Sequence, residues 1–339
     1  MNHSIQNTTL KNSTFELYFN YLYHKDMNFT SNEAGLKALS VDLNLSMSCI
    51  SRVVKDYPDI SYETKCRVIE KLIDYKYVPL DVRKSISNRN QKSIGVVVDS
   101  MVSPFFGMVT EKLIKYLNKF NYRVVIFPIG KNIVESDTIN EIINSKVDGF
   151  ISFLLLDKLS ELRCALFRMP GVVFGRYQPS KYLNCVYMDD YMGGELAALY
   201  LITKSSKKYL YVGNSNIECN ERRLNGFKDK LLHFGINDLK VIDSRELDKQ
   251  LPQLIDDGYT SIFAFDDSLA NIICKKCNTN IDIVGFNGTS TFYVSYFKYP
   301  SIYADYDKMI KKSCDVILND IINYTEEPAS IKFNTKMEG

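Results

Sequence analysis

From residue 94 onward, apolar runs of strand length alternate with stretches of helical period, and this alternation limits the fold more than any other feature. Residues 94–98 precede a helical stretch at 105–120, 123–127 precede 138–145, and 149–153 and 172–174 follow. Residues 193–201 are helical, 208–212 strand-like and 221–234 helical; 261–265 lead into a helix from Ser268, and 281–286 and 302–304 close the series. Strands separated by helices are joined by right-handed crossovers into parallel sheets. Roughly ten strands exceed one small sheet, so two α/β subdomains with the chain crossing between them are expected. Ligands of such folds bind beyond the carboxyl ends of the strands, which makes a cleft between the halves the natural site.

The chain before this point is different. Residues 36–76 carry only helical signals. Leu36, Leu39, Leu43 and Leu45 fit a first short helix and its turn. Ser46 is placed to cap a second, with Ile50, Val53 and Val54 on its inner face. Ser61 is placed to cap a third, striped by Val68, Ile69, Leu72 and Ile73; Ser61 and Thr64 form only a weak capping box, because the third position is not acidic. Pro79 stops any continuation. Residues 80–93 are polar and basic and read as a linker with about one helical turn, at 82–86. Residues 1–34 show no clean period beyond an aromatic stretch at 15–26.

Composition excludes more than it selects. The 339 residues suggest about two domains. A net charge of +2 announces no polyanion partner for the chain as a whole, so any basic surface is local. No run approaches the ~20 apolar residues of a membrane helix, and the polar start lacks a secretory core; a cytoplasmic protein without membrane contact is expected. The eight cysteines contain one CxxC, Cys274 to Cys277, without a second ligand pair nearby, so free thiols rather than zinc are expected. There is no HExxH, GxSxG or GxxxxGK[ST] pattern. The acid pairs Asp189-Asp190 and Asp266-Asp267 follow strands and suit helix capping or ligand contact better than acid–base catalysis. No enzyme, cofactor or metal is expected.

Two short helices joined by a tight turn, the second opening on Ser46, Met47, Ser48 and Cys49, suit a major groove about 12 Å wide. Small residues let that helix approach closely, and Arg52 lies where a phosphate or guanine would. A plain three-helix bundle explains the same apolar pattern. The ordered set "LSMSCISRVVK" (45–55), "ISYETKCRV" (60–68), "KYVPL" (76–80), "SPFF" (103–106), "VDGFI" (147–151) and "VGFNGTS" (284–290) resembles the lactose-repressor (LacI/GalR) family of bacterial transcription regulators. The resemblance runs from about Leu36 to the end; the C-terminal part is also loosely similar to the trehalose repressors. Three positions depart from the family pattern. Asn44 and Lys76 stand where the family has glycine, and Glu221 stands where the family has an effector-contacting arginine, followed by Arg222 and Arg223.

The resemblance implies an extension at 1–34, an all-α helix-turn-helix head at 35–79, a hinge at 80–93, and an α/β body at 94–335. That body would be periplasmic-binding-protein-like, with two Rossmann-like subdomains serving effector binding and dimerisation. It implies a sequence-specific DNA-binding regulator, a repressor, acting as a homodimer on a double-stranded operator under a sugar or sugar-phosphate effector. Met47 and Ser48 would read bases, and Ser46, Ser51, Arg52 and Tyr62 would hold phosphates. Ile86 matches a minor-groove wedge, though an ordinary linker hydrophobe fits too. Phe105 and Phe106 would stack on the effector, with Arg222 or Arg223, Asp266 and Asn287 hydrogen-bonding it; Phe105 is equally readable as core packing. The rival readings are a sugar-binding protein of the same body fold without effective DNA binding and, more remotely, a carbohydrate-active enzyme.

Overall fold

The computed structural model describes residues 33–204, 207–277, 280–289, 297–325 and 327–338. The aromatic stretch at 15–26 and most of the expected extension lie outside these. Two compact units divide between Lys84 and Ser85.

The first unit holds α1 (Glu33–Leu43), α2 (Met47–Val54) and α3 (Tyr62–Asp74). Helix α1 takes in Glu33 and Ala34, two residues ahead of the expected head boundary. Both expected serine caps form: the Ser46 hydroxyl accepts from the Cys49 N–H at 3.1 Å, and the Ser61 hydroxyl from the Thr64 N–H at 3.2 Å. Ile50, Val53, Val54, Val68, Ile69 and Leu72 are buried, as the apolar stripes require. Each helix ends in the same way. A residue with positive φ follows the cap, namely Asn44 (+52°), Asp56 (+57°) and Lys76 (+51°). The next N–H then reaches back five residues, from Leu45 to Ser40, Tyr57 to Arg52 and Tyr77 to Leu72. These are Schellman turns, a position where glycine is usual because it alone has no Cβ to strain. Asn44 thus keeps the tight turn between the first two helices.

The linker is more helical than expected: α4 covers Leu80–Ser87, eight residues rather than about one turn. Leu80 directly follows Pro79, which suits a helix start.

The second unit contains two six-stranded sheets. The first runs in the order β13-β7-β6-β4-β1-β2 and is parallel throughout. Its strands are β1 (Ser93–Val98), β2 (Arg123–Pro128), β4 (Gly149–Ser152), β6 (Gly171–Gly175), β7 (Asn184–Met188) and β13 (Ser330–Phe333). Helices α5 (Pro104–Asn118), α6 (Ser136–Asn144) and α7 (Lys158–Leu166) connect them, with a short parallel ribbon of β3 (Ile133–Val134) and β5 (Leu155–Leu156). The second sheet runs β14-β12-β11-β10-β8-β9, with β14 (Thr335–Glu338) antiparallel to β12 (Ser301–Ala304). Its other strands are β8 (Tyr209–Gly213), β9 (Leu239–Asp243), β10 (Ser261–Ala264) and β11 (Asp282–Phe286). Helices α8 (Asp190–Ile202), α9 (Cys219–His233), α10 (Leu247–Asp256) and α11 (Asp267–Lys276) accompany it, and α12 (Tyr306–Ile322) returns to the first sheet. The body thus opens with Ser93 inside β1 and carries its last strand to Glu338, slightly wider than 94–335.

The chain crosses between lobes three times: after β7, after β12, and between β13 and β14. Two crossings are tied together. The Asp189 N–H donates to the Phe333 carbonyl at 2.9 Å, and the Asp189 carboxylate accepts from Lys332 Nζ at 2.9 Å. Crossings at one edge leave the carboxyl ends of both sheets free to border a cleft.

Candidate DNA-reading head and effector cleft

In the first unit, α2 turns its apolar side inward and leaves Ser46, Met47, Ser48, Ser51 and Arg52 exposed. Met47 is 42% exposed, a large apolar side chain offered outward beside small hydroxyls. Arg52 is held in place by Asp59, 2.5 Å away, and by the Tyr57 ring, 5.0 Å below its guanidinium. Tyr62, at the start of α3, is also exposed. Ile86 lies in the last turn of α4 and is half-buried. The sequence missed the Lys65–Asp56 pair. Its atoms lie 2.6 Å apart with both side chains largely buried, so it ties the end of α2 to α3.

In the second unit, Phe105 and Phe106 open α5 beyond the carboxyl end of β1, and both are half-buried. They join an aromatic cluster: Phe106 packs on Phe153 (5.5 Å) and Phe105 on Tyr306 (5.5 Å). Tyr306, the first residue of α12, was not foreseen, because nothing local marks it.

Arg223 is buried. Its Nε donates to Asp190 at 2.8 Å, one Nη donates to the Phe265 carbonyl at 2.6 Å, and its plane lies 3.6 Å from the Phe286 ring centre. Burial opposes the charge, but the hydrogen-bonded Asp190 carboxylate beside it helps keep Arg223 a cation. Of the two candidate arginines, this one is committed inward. Arg222 is half-exposed, lies over the Tyr177 ring at 4.6 Å and pairs with Glu218 at 3.4 Å. Glu221 is exposed on the same helix.

Asp266 caps α11, accepting from the Leu269 N–H at 2.8 Å, and burial raises its pKa. Asp189 caps α8 in the same way, through Met192 at 3.1 Å. Both acid pairs therefore have a capping member, and their second members, Asp190 and Asp267, are buried. Asn287 directly follows β11 with φ +93° and is half-buried. Phe105, Asp266, Arg223 and Asn287 thus all stand at or near the carboxyl ends of strands. Grooves of about 870 Å³ between α5 and α12 and about 410 Å³ beside α10 contain none of the expected effector residues. Cys274 and Cys277 are free thiols at the end of α11. Among the described residues no group of acids, cysteines and histidines could hold a metal, and no helix is long and apolar enough to cross a membrane.

Residues 91–257 match the family of periplasmic binding proteins and the sugar binding domain of the LacI family. The HTH-type transcriptional regulator GalR of Escherichia coli K12 is 25% identical over 268 residues, 74% of this chain and 77% of that one. Over residues 91–257 the body belongs to this periplasmic-binding-protein and LacI-type sugar-binding domain family. Among solved structures, a LacI family regulator from Enterococcus faecium with bound ribose shares the fold at TM-score 0.65 and 20% identity, covering 73% of this chain and 97% of its own. The regulator CelR in complex with cellobiose does so at TM-score 0.65 and 17% identity, covering 90% and 98%. The matched residues lie within the α/β body described above.

Proposed function

We propose that this chain is a LacI/GalR-type sequence-specific DNA-binding repressor whose body binds a sugar or sugar phosphate, and that it acts as a homodimer in the cytoplasm. The observation that carries the reading is the outward face of α2: small hydroxyls and Met47 are presented while Ile50, Val53 and Val54 are buried. Met47 and Ser48 read base edges in the major groove; Ser46, Ser51, Arg52 and Tyr62 contact phosphates and set the register. Ile86 wedges into the minor groove. Phe105 and Phe106 stack on the effector, and Arg222 or Arg223, together with Asp266 and Asn287, hydrogen-bonds it. The relatives' ligands, ribose and cellobiose, make neutral polyols the first class to test here.

A second reading is a sugar-binding body with a head that grips DNA poorly, and the engagement of Arg52 by Asp59 favours it. Selection from random duplexes separates the two. A reader of bases yields a two-fold symmetric consensus that shifts in Met47→Ala. A poor reader yields no consensus. Thermal shift against sugars and sugar phosphates tests the body independently, since a ligand bound only by the folded form raises its stability.

A further inference from the structure

The turn after β11 carries Asn287, and a carboxylate from another element sets its shape. Asp267, the first residue of α11, is buried. One of its oxygens accepts from the Thr289 N–H at 2.5 Å and from the Thr289 hydroxyl at 3.0 Å. The other accepts from the Ser301 hydroxyl at 2.6 Å, and the Ser301 oxygen in turn accepts from the Gly288 N–H at 3.0 Å. Within the turn, Asn287 and Gly288 both have left-handed backbones, at +93° and +61°. Such conformations persist where the surroundings over-determine them. Space is set aside for the carboxylate as well: a Cβ at Gly285 would stand 2.1 Å from it.

We propose that Asp267 is a positioning residue for effector binding, clamping residues 287–289 so that Asn287 is held in place at the carboxyl end of β11. This rests on the assignment of Asn287 to the effector site.

The clamp depends on charge. A carboxylate accepts all three of these bonds, whereas a protonated carboxyl has an oxygen that must donate. Burial lifts Asp267 to about 6, against the pull of Ser301 and Thr289. The titratable groups around it are Asp266 on its own helix, Tyr299, whose hydroxyl donates to the Asp267 carbonyl at 2.9 Å, and Tyr306 from α12; Arg223 acts on Asp266 and Tyr306. The turn therefore loosens as pH falls through about 6.

The experiment uses the full chain in two arms. Amide hydrogen exchange at Gly288 and Thr289, corrected for intrinsic rates, is followed from pH 7.5 to 5. Calorimetry with D-ribose, ribose 5-phosphate and cellobiose as probes covers the same range. In the natural protein, protection and probe affinity both fall at least about tenfold across the range, the scale of losing one charge-assisted hydrogen bond. In Asp267→Asn both are low throughout and the pH dependence is gone, while Thr289→Val loses part of each. A merely structural Asp267 leaves the pH profile of probe affinity flat in the natural protein, and that result overturns the proposal. So does Asp267→Asn binding with natural affinity. Should Asp267→Asn fail to fold, the natural protein's profiles and Thr289→Val still decide the matter. Should no probe bind the natural protein, the sugar-effector reading fails, and the exchange arm alone decides the clamp.

Discussion

Lys76→Gly is expected to stabilise the head by about 1 kcal/mol. Lys76 is the left-handed residue of the turn that ends α3: its N–H donates to Ile73, and the Tyr77 N–H donates to Leu72, both at 2.9 Å. Its side chain is exposed, so little contact is lost on truncation. An L-residue in this conformation is strained by about 1–2 kcal/mol. Glycine removes that strain but costs about 0.5–1 kcal/mol in unfolded-chain entropy, so a modest net gain remains. The neighbouring turns give an internal ranking. Asn44→Gly gains only a few tenths, because asparagine tolerates this region. Asp56→Gly loses about 3 kcal/mol, because it strips the carboxylate 2.6 Å from the buried Lys65 ammonium. Exchange protection of the Ile69 and Leu72 amides reads the effect in the full chain: a gain of about 1 kcal/mol slows exchange about fivefold where exchange follows opening. Lys76→Ala should stay close to the natural protein. Faster exchange in Lys76→Gly, or equal gains at all three positions, would refute the argument.

Other outcomes follow from the body. Asp190→Ala leaves the buried Arg223 cation without its 2.8 Å partner and should cost about 3–5 kcal/mol, read as a fall in the urea midpoint. Asp267 gives the stability a pH slope. Its folded pKa is raised from 3.8 to about 6, so between those values the native state binds more protons than the unfolded one. Its contribution to stability therefore grows as pH falls through 6 toward 4, by at most about 3 kcal/mol, and that part of the slope disappears in Asp267→Asn. Gly285→Ala places a methyl against the same carboxylate and should destabilise by about 1–3 kcal/mol, measured by calorimetric unfolding.

The parts of this fold legible in the sequence are those set by neighbours along the chain. Ser46 and Ser61 announce helix starts, and the apolar stripes of α2 and α3 are buried as their period requires. The βα alternation names β1, β4, β6, β8, β10, β11 and β12 and the edge strand β2, but misses β7, which lies between β6 and β13. The edge strands β9, β13 and β14 were not legible. β9 and β13 mix apolar and polar residues, because one side faces solvent, and each is short. Nor could the sequence say that β13 joins the first sheet although β12 belongs to the second, since that depends on α12 packing back on the first lobe. The site shows the same division. Asp266 and Asp189 read as caps because capping is local. Arg223 with Asp190, 33 residues apart, and Asp267 with Ser301, 34 apart, are pairings made only by the fold. The turn at Asn44 was legible because asparagine tolerates a left-handed backbone, whereas the Schellman ends at Asp56 and Lys76 were hidden where the usual glycine is replaced.

The central claim is that the exposed face of α2 reads duplex sequence while the body controls the grip. Fluorescence anisotropy of the full chain on the duplex upstream of its own gene and on a scrambled duplex of equal composition, at two salt concentrations, tests it most directly. The upstream duplex should bind at least about a thousandfold more tightly, with that preference shrinking in Met47→Ala and with a probe sugar changing the affinity. Equal affinity for the two duplexes, falling equally steeply with salt, would contradict it.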